Sequence, residues 1–211
     1  TGHLLYARFI TKFLHDNGYI NFDEPFASLV HQGMILGADG QKMSKSKGNT
    51  VNLDNYVNHY GSDALRLYLA FGFKFIEGGP WNGTGIKAMA KFMERVERIV
   101  LKAINLQGES KVYGENEKEL DYAKNFAIKE IEKNLENFEF NSAVARIMEF
   151  VNALYKYEQS GLENIQLFKT SINNLIVLLS PFAPHFAEEL FMQLGNQESV
   201  HKQSFPTFDE S

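Results

Sequence analysis

Three lysines, two serines, a glycine and an asparagine fall within the eight residues Lys42-Met43-Ser44-Lys45-Ser46-Lys47-Gly48-Asn49. Lys42 and Lys45, three residues apart, can close on a single polyanion from a flexible loop. Each ammonium is a compact point charge on a mobile stem, suited to phosphate oxygens. The hydroxyls of Ser44 and Ser46, with loop N–H groups, can satisfy the remaining oxygens. Composition alone fits a solvated lysine-serine turn as well, because charge runs are usually solvated. No G-x-x-x-x-G-K-[ST] is present, so this is not a Walker loop.

The elements around the loop must hold it. Gly33-Met34-Ile35-Leu36 is predicted as a strand, and Asp39-Gly40 is a two-residue hairpin signal. The return arm, Gln41 to Met43, delivers the lysines, so the hairpin acts as a lever with a cationic tip, the arrangement a lid over phosphates needs. Helical segments follow from Leu53 and from Gly61, where Ser62 or Asp63 can cap a buried stripe of Ala64, Leu65, Tyr68 and Leu69. Gly78-Gly79-Pro80 reads as a break and hinge. The domain boundary is placed there, giving domains 1–75 and 76–211, with Trp81, the only tryptophan, as a packing anchor across it.

Upstream, His3 to Asn17 reads as a helix stopped by Gly18, with Leu4, Leu5, Phe9, Ile10, Phe13 and Leu14 at helical spacing. On pattern, His3 is an exposed end residue. Thr1-Gly2 leads abruptly into this helix, and the chain is expected to be a piece of a longer one.

From Gly85 onward the pattern is helical. Met89, Phe92, Met93, Val96, Ile99, Val100 and Ala103 share one face, while Lys87, Lys91, Arg95, Arg98 and Lys102 recur at spacings of four, four, three and four. At about 100° per residue these cations form a stripe roughly 80° wide, nearly opposite the apolar face. It suits an ordinary solvent face, diluted by Glu94 and Glu97, or a surface tracking RNA phosphates. After a linker at 107–114, helices are predicted over 115–137, 142–159 and 168–180, with a mixed, solvated polar side on the first and the deepest burial for the last. Pro181-Phe182-Ala183-Pro184-His185 is a break opening a further helix that Gly195 closes. His185 and Glu189 stand one turn apart, but no third ligand is evident, so His185 is read as packing or capping and no metal site is assigned.

At 211 residues the chain can bury a proper core. It has no cysteine, which excludes disulfides and thiolate-bound zinc and agrees with a reducing compartment. No apolar run approaches the roughly 18 residues of a membrane span. A net charge of −5 argues against a free-standing nucleic-acid binder, though a local basic face can still do that work.

Residue order adds more. Lys42-Met43-Ser44-Lys45-Ser46 is, letter for letter, the KMSKS signature of class I aminoacyl-tRNA synthetases, and the chain is similar to that class throughout. The Lys47-Gly48-Asn49 continuation and Tyr60-Gly61-Ser62-Asp63-Ala64-Leu65-Arg66-Leu67-Tyr68 resemble the leucine, isoleucine, valine and methionine enzymes. Pro181-Phe182-Ala183-Pro184-His185 with Glu188-Glu189-Leu190 resembles their anticodon-binding domain. His3-Leu4-Leu5-Tyr6-Ala7-Arg8-Phe9, Pro80-Trp81-Asn82, Lys91-Phe92-Met93-Glu94-Arg95-Val96 and the ending Ser199-Val200-His201 … Phe205-Pro206 … Asp209-Glu210 resemble the leucyl-tRNA synthetases.

The resemblance implies a mainly α fold. A remnant of a Rossmann-type α/β catalytic domain, with a β-hairpin carrying KMSKS, would precede an α-helical bundle. It implies that Lys45, with Lys42, neutralises charge on the leaving pyrophosphate while leucine is adenylated. Met34, Ile35, Lys42, Met43, Ser44, Lys45 and Ser46 would bind ATP, His3 would sit near the leucine pocket, and Mg2+ would accompany ATP. Residues Lys87, Lys91, Arg95, Arg98 and Lys102 would meet the backbone of tRNA(Leu) by shape and phosphate contacts. A cytoplasmic monomer is implied. The sequence carries no HIGH signature, so the piece is expected to be inactive alone. A valyl- or isoleucyl-tRNA synthetase and a non-catalytic tRNA-binding helical module are the alternatives.

Overall fold

In the computed structural model, which describes residues 2–108 and 112–209, helices dominate. Thr1, residues 109–111 of the expected linker and Glu210 of the ending lie outside the described residues. The chain divides into two units, 1–32 and 33–211, so the boundary expected at 75/76 falls inside the second.

The first unit is helix α1 (Gly2–Asp16) and the segment after it. Glu24 folds back onto the helix, accepting two hydrogen bonds from the Arg8 guanidinium (2.7 and 2.8 Å) and pairing with Lys12 at 3.0 Å. These hydrogen bonds hold its carboxyl down at about 2. The apolar stripe of α1 is present, but Leu5, Phe9, Ile10 and Phe13 stand exposed.

The second unit opens with strand β1 (Met34–Leu36) and a 3-10 turn (Lys45–Lys47), then helices α2 (Leu53–Tyr60) and α3 (Ser62–Gly72). Strand β2 (Gly78–Pro80) leads into α4 (Thr84–Asn105), α5 (Glu115–Glu136), α6 (Phe140–Gln159), α7 (Ile165–Leu179) and α8 (Pro184–Gln193). The residues expected to be a break are therefore a strand. Strand β2 pairs with β1 in parallel, with Met34 opposite Gly78 and Leu36 opposite Pro80. Gly78 has φ +70°, and a Cβ there would lie 2.2 Å from the Met34 carbonyl oxygen, so only glycine allows the approach. Pro80 is tolerated at the strand end because the ladder continues through Trp81 N–H, which donates to Leu36 O at 2.9 Å.

Trp81 is buried as expected. Its indole meets the rings of Tyr56 and Tyr68 edge-on, with centroids at 5.3 and 5.1 Å. Helix α5 lies along α6, α6 carries α3 and α7, and α8 packs on α7. Helix α7 is the most deeply buried, with Phe168, Ile172, Leu175, Ile176 and Leu178 fully enclosed. It starts three residues before its predicted start, because Asn164 caps it by accepting from Leu167 N–H at 2.9 Å.

One acid departs from the solvated side expected of α5. Glu117 is buried, accepting from the Tyr157 hydroxyl (2.5 Å) and from Gly114 N–H (2.8 Å). The tyrosine hydrogen bond outweighs burial and holds this carboxyl below the usual range. The unfolded chain then takes up the proton first as pH falls, so the stabilisation is complete above the ordinary value near 4.3 and is lost as pH drops through the folded value. Glu117→Gln is expected to flatten the fall of the urea midpoint as pH drops below about 5. An unchanged slope would remove Glu117 as its source.

Candidate functional site

The lysine loop is built on a shorter support than a full hairpin. Gly37 N–H donates to Gln41 O (2.8 Å), and Gly40, at φ +71°, closes the turn expected from Asp39-Gly40. The return arm makes a single antiparallel bridge, Leu36 with Lys42. The strand partner of β1 is instead β2, so the lever is anchored in a parallel pair. Ile35, Met43 and Val51 pack against the core and pin the loop's two ends. Ser44 is extended, the 3-10 turn follows, and Gly48 reverses the chain at φ +68°. The Ser44 and Ser46 hydroxyls lie 2.7 Å apart. Lys42, Lys45 and Lys47 are exposed, and among the described residues none of their ammonium groups is in an ion pair or hydrogen bond. Met34 is half exposed at the head of β1.

The structure thus gathers Met34, Ile35 and Lys42 to Ser46 on one strand and its following loop. His3 belongs to the first unit, exposed on α1, with its ring 6.1 Å from that of Phe26.

The stripe on α4 is divided. Lys87, Lys91 and Arg98 are exposed, and no ion-pair partner is recorded for them among the described residues. Arg95 is half-buried, its guanidinium 4.7 Å over the Tyr155 ring, while Tyr155 donates to Arg95 O. Lys102 pairs with Glu158. Lys87 and Lys91 also line a groove of about 460 Å³ with His59, Tyr60, Glu94 and Phe186.

Two other motifs singled out in the sequence prove to be bonded to each other. Asp63, on α3, does not cap its own helix; the cap position there is Gly61. Its buried carboxylate instead accepts from Phe186 N–H (2.7 Å) and meets His185 Nδ1 at 2.9 Å. One turn along, Arg66 donates to Pro181 O (2.9 Å) and Phe182 O (3.3 Å). His185, expected to pack or cap, is exposed and bonds the carboxylate that caps α8, while Glu189 accepts from Gln193. Short-range patterning offered no signal for a cap supplied from more than a hundred residues away.

Residues 9–77 match the family model of tRNA synthetases class I (I, L, M and V), and residues 117–211 match that of the anticodon-binding domain of tRNA ligase. The leucine–tRNA ligase of Clostridium kluyveri is 54% identical over 98% of this chain, and that of Caldanaerobacter subterraneus subsp. tengcongensis 53% identical over all of it. The chain belongs to the leucyl-tRNA synthetases of class I. It spans about a quarter (26%) of the length of these curated relatives. The leucyl-tRNA synthetase agnB2 of Agrobacterium radiobacter K84, solved as a ternary complex with tRNA and LeuAMS, superposes with a TM-score of 0.85 at 36% identity. That match covers 99% of this chain and 27% of the other. Within the leucyl-tRNA synthetases, then, the stretch found here runs from the KMSKS region through the helical bundle.

Proposed function

We propose that this chain is the part of a leucine–tRNA ligase that clamps the triphosphate of ATP and docks tRNA(Leu). Residues 1–75 close the catalytic region and 76–211 form the anticodon-binding bundle. The observation that carries this reading is the KMSKS loop itself: its backbone is anchored while Lys42 and Lys45 extend unpaired into solvent. Those cations would meet the β- and γ-phosphates as leucyl-adenylate forms and stabilise charge on the departing pyrophosphate. Ser44, Ser46 and backbone groups at Met34, Ile35 and Met43 would hold the rest of the nucleotide, and His3 would lie near the leucine pocket. Mg2+ would arrive with ATP. Among the described residues no cluster of three or more His, Asp or Glu is arranged to hold a metal, and no step is assigned to one. Among the same residues no helix is long and apolar enough to cross a membrane. The reading places the enzyme in the cytoplasm as a monomer.

The test is amino-acid-dependent pyrophosphate exchange by the full-length protein. Leucine should support it, and valine and isoleucine should not. Exchange driven best by valine or isoleucine would overturn the leucine assignment.

The tRNA part rests on Lys87, Lys91 and Arg98. Each phosphate contact releases counterions worth about 0.7–0.9 in the slope of log K against log salt. Replacing all three with alanine in the full-length protein is expected to reduce that slope for tRNA(Leu) by about 2. If affinity and slope both stay the same, the stripe is a solvated face.

A further inference from the structure

Beneath the three lysines, one side chain ties the loop together. Asn49 uses both ends of its amide. Its Oδ1 accepts from Ser44 N–H at 2.8 Å. Its Nδ2 reaches the two Asp39 carboxylate oxygens at 3.3 and 3.1 Å and the Lys42 carbonyl at 3.3 Å. Asp39 in turn accepts from Gln41 N–H at 3.0 Å. This backbone hydrogen bond, with the Asn49 amide, holds the Asp39 carboxyl below its usual range, so it remains an acceptor. Buried Gly37 leaves room for the pair, since a Cβ there would lie 2.6 Å from Asp39 Oδ1 and 3.1 Å from Asn49 Nδ2. The Gly48 reversal returns the chain so that Asn49 sits under the loop's neck.

The consequence is mechanical. One amide joins the turn at 39, the residue that begins the lysine run and the residue between its first two lysines. The backbone carrying Lys42 and Lys45 is closed into a ring, while no lysine ammonium takes part in the closing. Ordering a loop residue costs conformational entropy. A loop already ordered at its neck does not meet that cost when phosphate binds, and its charges stay aimed where charge develops.

We infer that Asn49 and Asp39 are positioning residues that preorganise the KMSKS loop for the triphosphate of ATP. This rests on the reading of the loop as the phosphate clamp. The amide is required because position 49 must donate to a carboxylate and accept from an N–H at once. An aspartate keeps the acceptor for Ser44, loses the donor, and sets a second carboxylate against Asp39.

The test uses the full-length enzyme and pyrophosphate exchange. Asn49→Asp, nearly isosteric, is expected to lower kcat about tenfold or more, with the leucine KM unchanged and the active-site concentration by titration undiminished. The exchanged pair, Asp39→Asn with Asn49→Asp, restores one donor facing one carboxylate and is expected to recover most of the loss. A loss seen only as fewer active sites, or one that the exchanged pair does not recover, would make Asn49 a fold residue and overturn the inference. Unchanged kcat in Asn49→Asp would overturn it too. Lys45→Ala, run alongside, separates the two levels. If it abolishes exchange while Asn49→Asp does not, the brace fails and the clamp stands. If neither matters, the clamp reading itself is wrong.

Discussion

Asp63→Ala is expected to lower the stability of the chain by about 3 kcal/mol, read as a fall in urea midpoint at constant slope. Two costs add. The carboxylate is 5% exposed and supplies the acceptor for Phe186 N–H, one of the donors that the first turn of α8 leaves without an intrahelical partner. The residue at the cap position of α8, Ala183, has no side chain able to do this. Loss of that capping hydrogen bond leaves the N–H unpaired and costs about 1–3 kcal/mol. The negative charge also faces the positive end of the helix. Asp63→Asn keeps an acceptor oxygen and is expected to lose only about 1 kcal/mol. An alanine variant within a few tenths of a kcal/mol of the parent would mean that water replaces the carboxylate, and that the junction of α3 with α8 is held by packing alone.

Lys45→Ala in the full-length protein is expected to slow leucine-dependent pyrophosphate exchange by about 10²–10³-fold while leaving the leucine KM unchanged. Removing one preorganised donor from a charge-developing site typically costs that much. The lysine has no other work: its ammonium is exposed and makes no ion pair or hydrogen bond among the described residues. Its loss should therefore leave folding intact. A matching fall in thermal stability would point to a structural role instead. Lys45→Arg is not a neutral control, because a planar guanidinium presents a fork where an ammonium presents a point charge. An exchange rate within threefold of the parent would rule out Lys45 as the phosphate-stabilising group.

The Asp63–His185 and Arg66–Pro181 bonds also give the two signature stretches a physical meaning. Gly61 to Arg66 and Pro181 to Phe186 are bound to each other across 115–123 residues of chain. Helix α3, the second after the lysine loop, is thereby fixed to the corner between α7 and α8. Phe75, just after α3, adds an aromatic contact to the α5–α6 corner, stacking on Phe138 at 5.4 Å and meeting Phe140 at 5.2 Å.

By itself, the sequence determined what a few consecutive residues can encode. The order Lys42 to Ser46 carried the family's signature, the 3.6-residue period specified the buried face of α4, and Asp39-Gly40 specified the turn. Each of these is local, because helix periodicity and turn chemistry depend on neighbours within about one turn. The tertiary structure alone decided the rest. Strands of three residues carry no period, and β2 is Gly78-Gly79-Pro80, so the β1–β2 pairing could not be read from either. In sequence Glu117 looks like a solvated acid, Asp63 like a cap for its own helix and Asn49 like one more loop residue, and their roles depend on which donor the fold carries to them. Arg95 and Lys102 belong to the basic stripe by spacing, yet Tyr155 and Glu158, from α6, already occupy them. Pairings across many tens of residues are set by which apolar faces bury together, and a polar side chain takes whatever partner that burial leaves within reach.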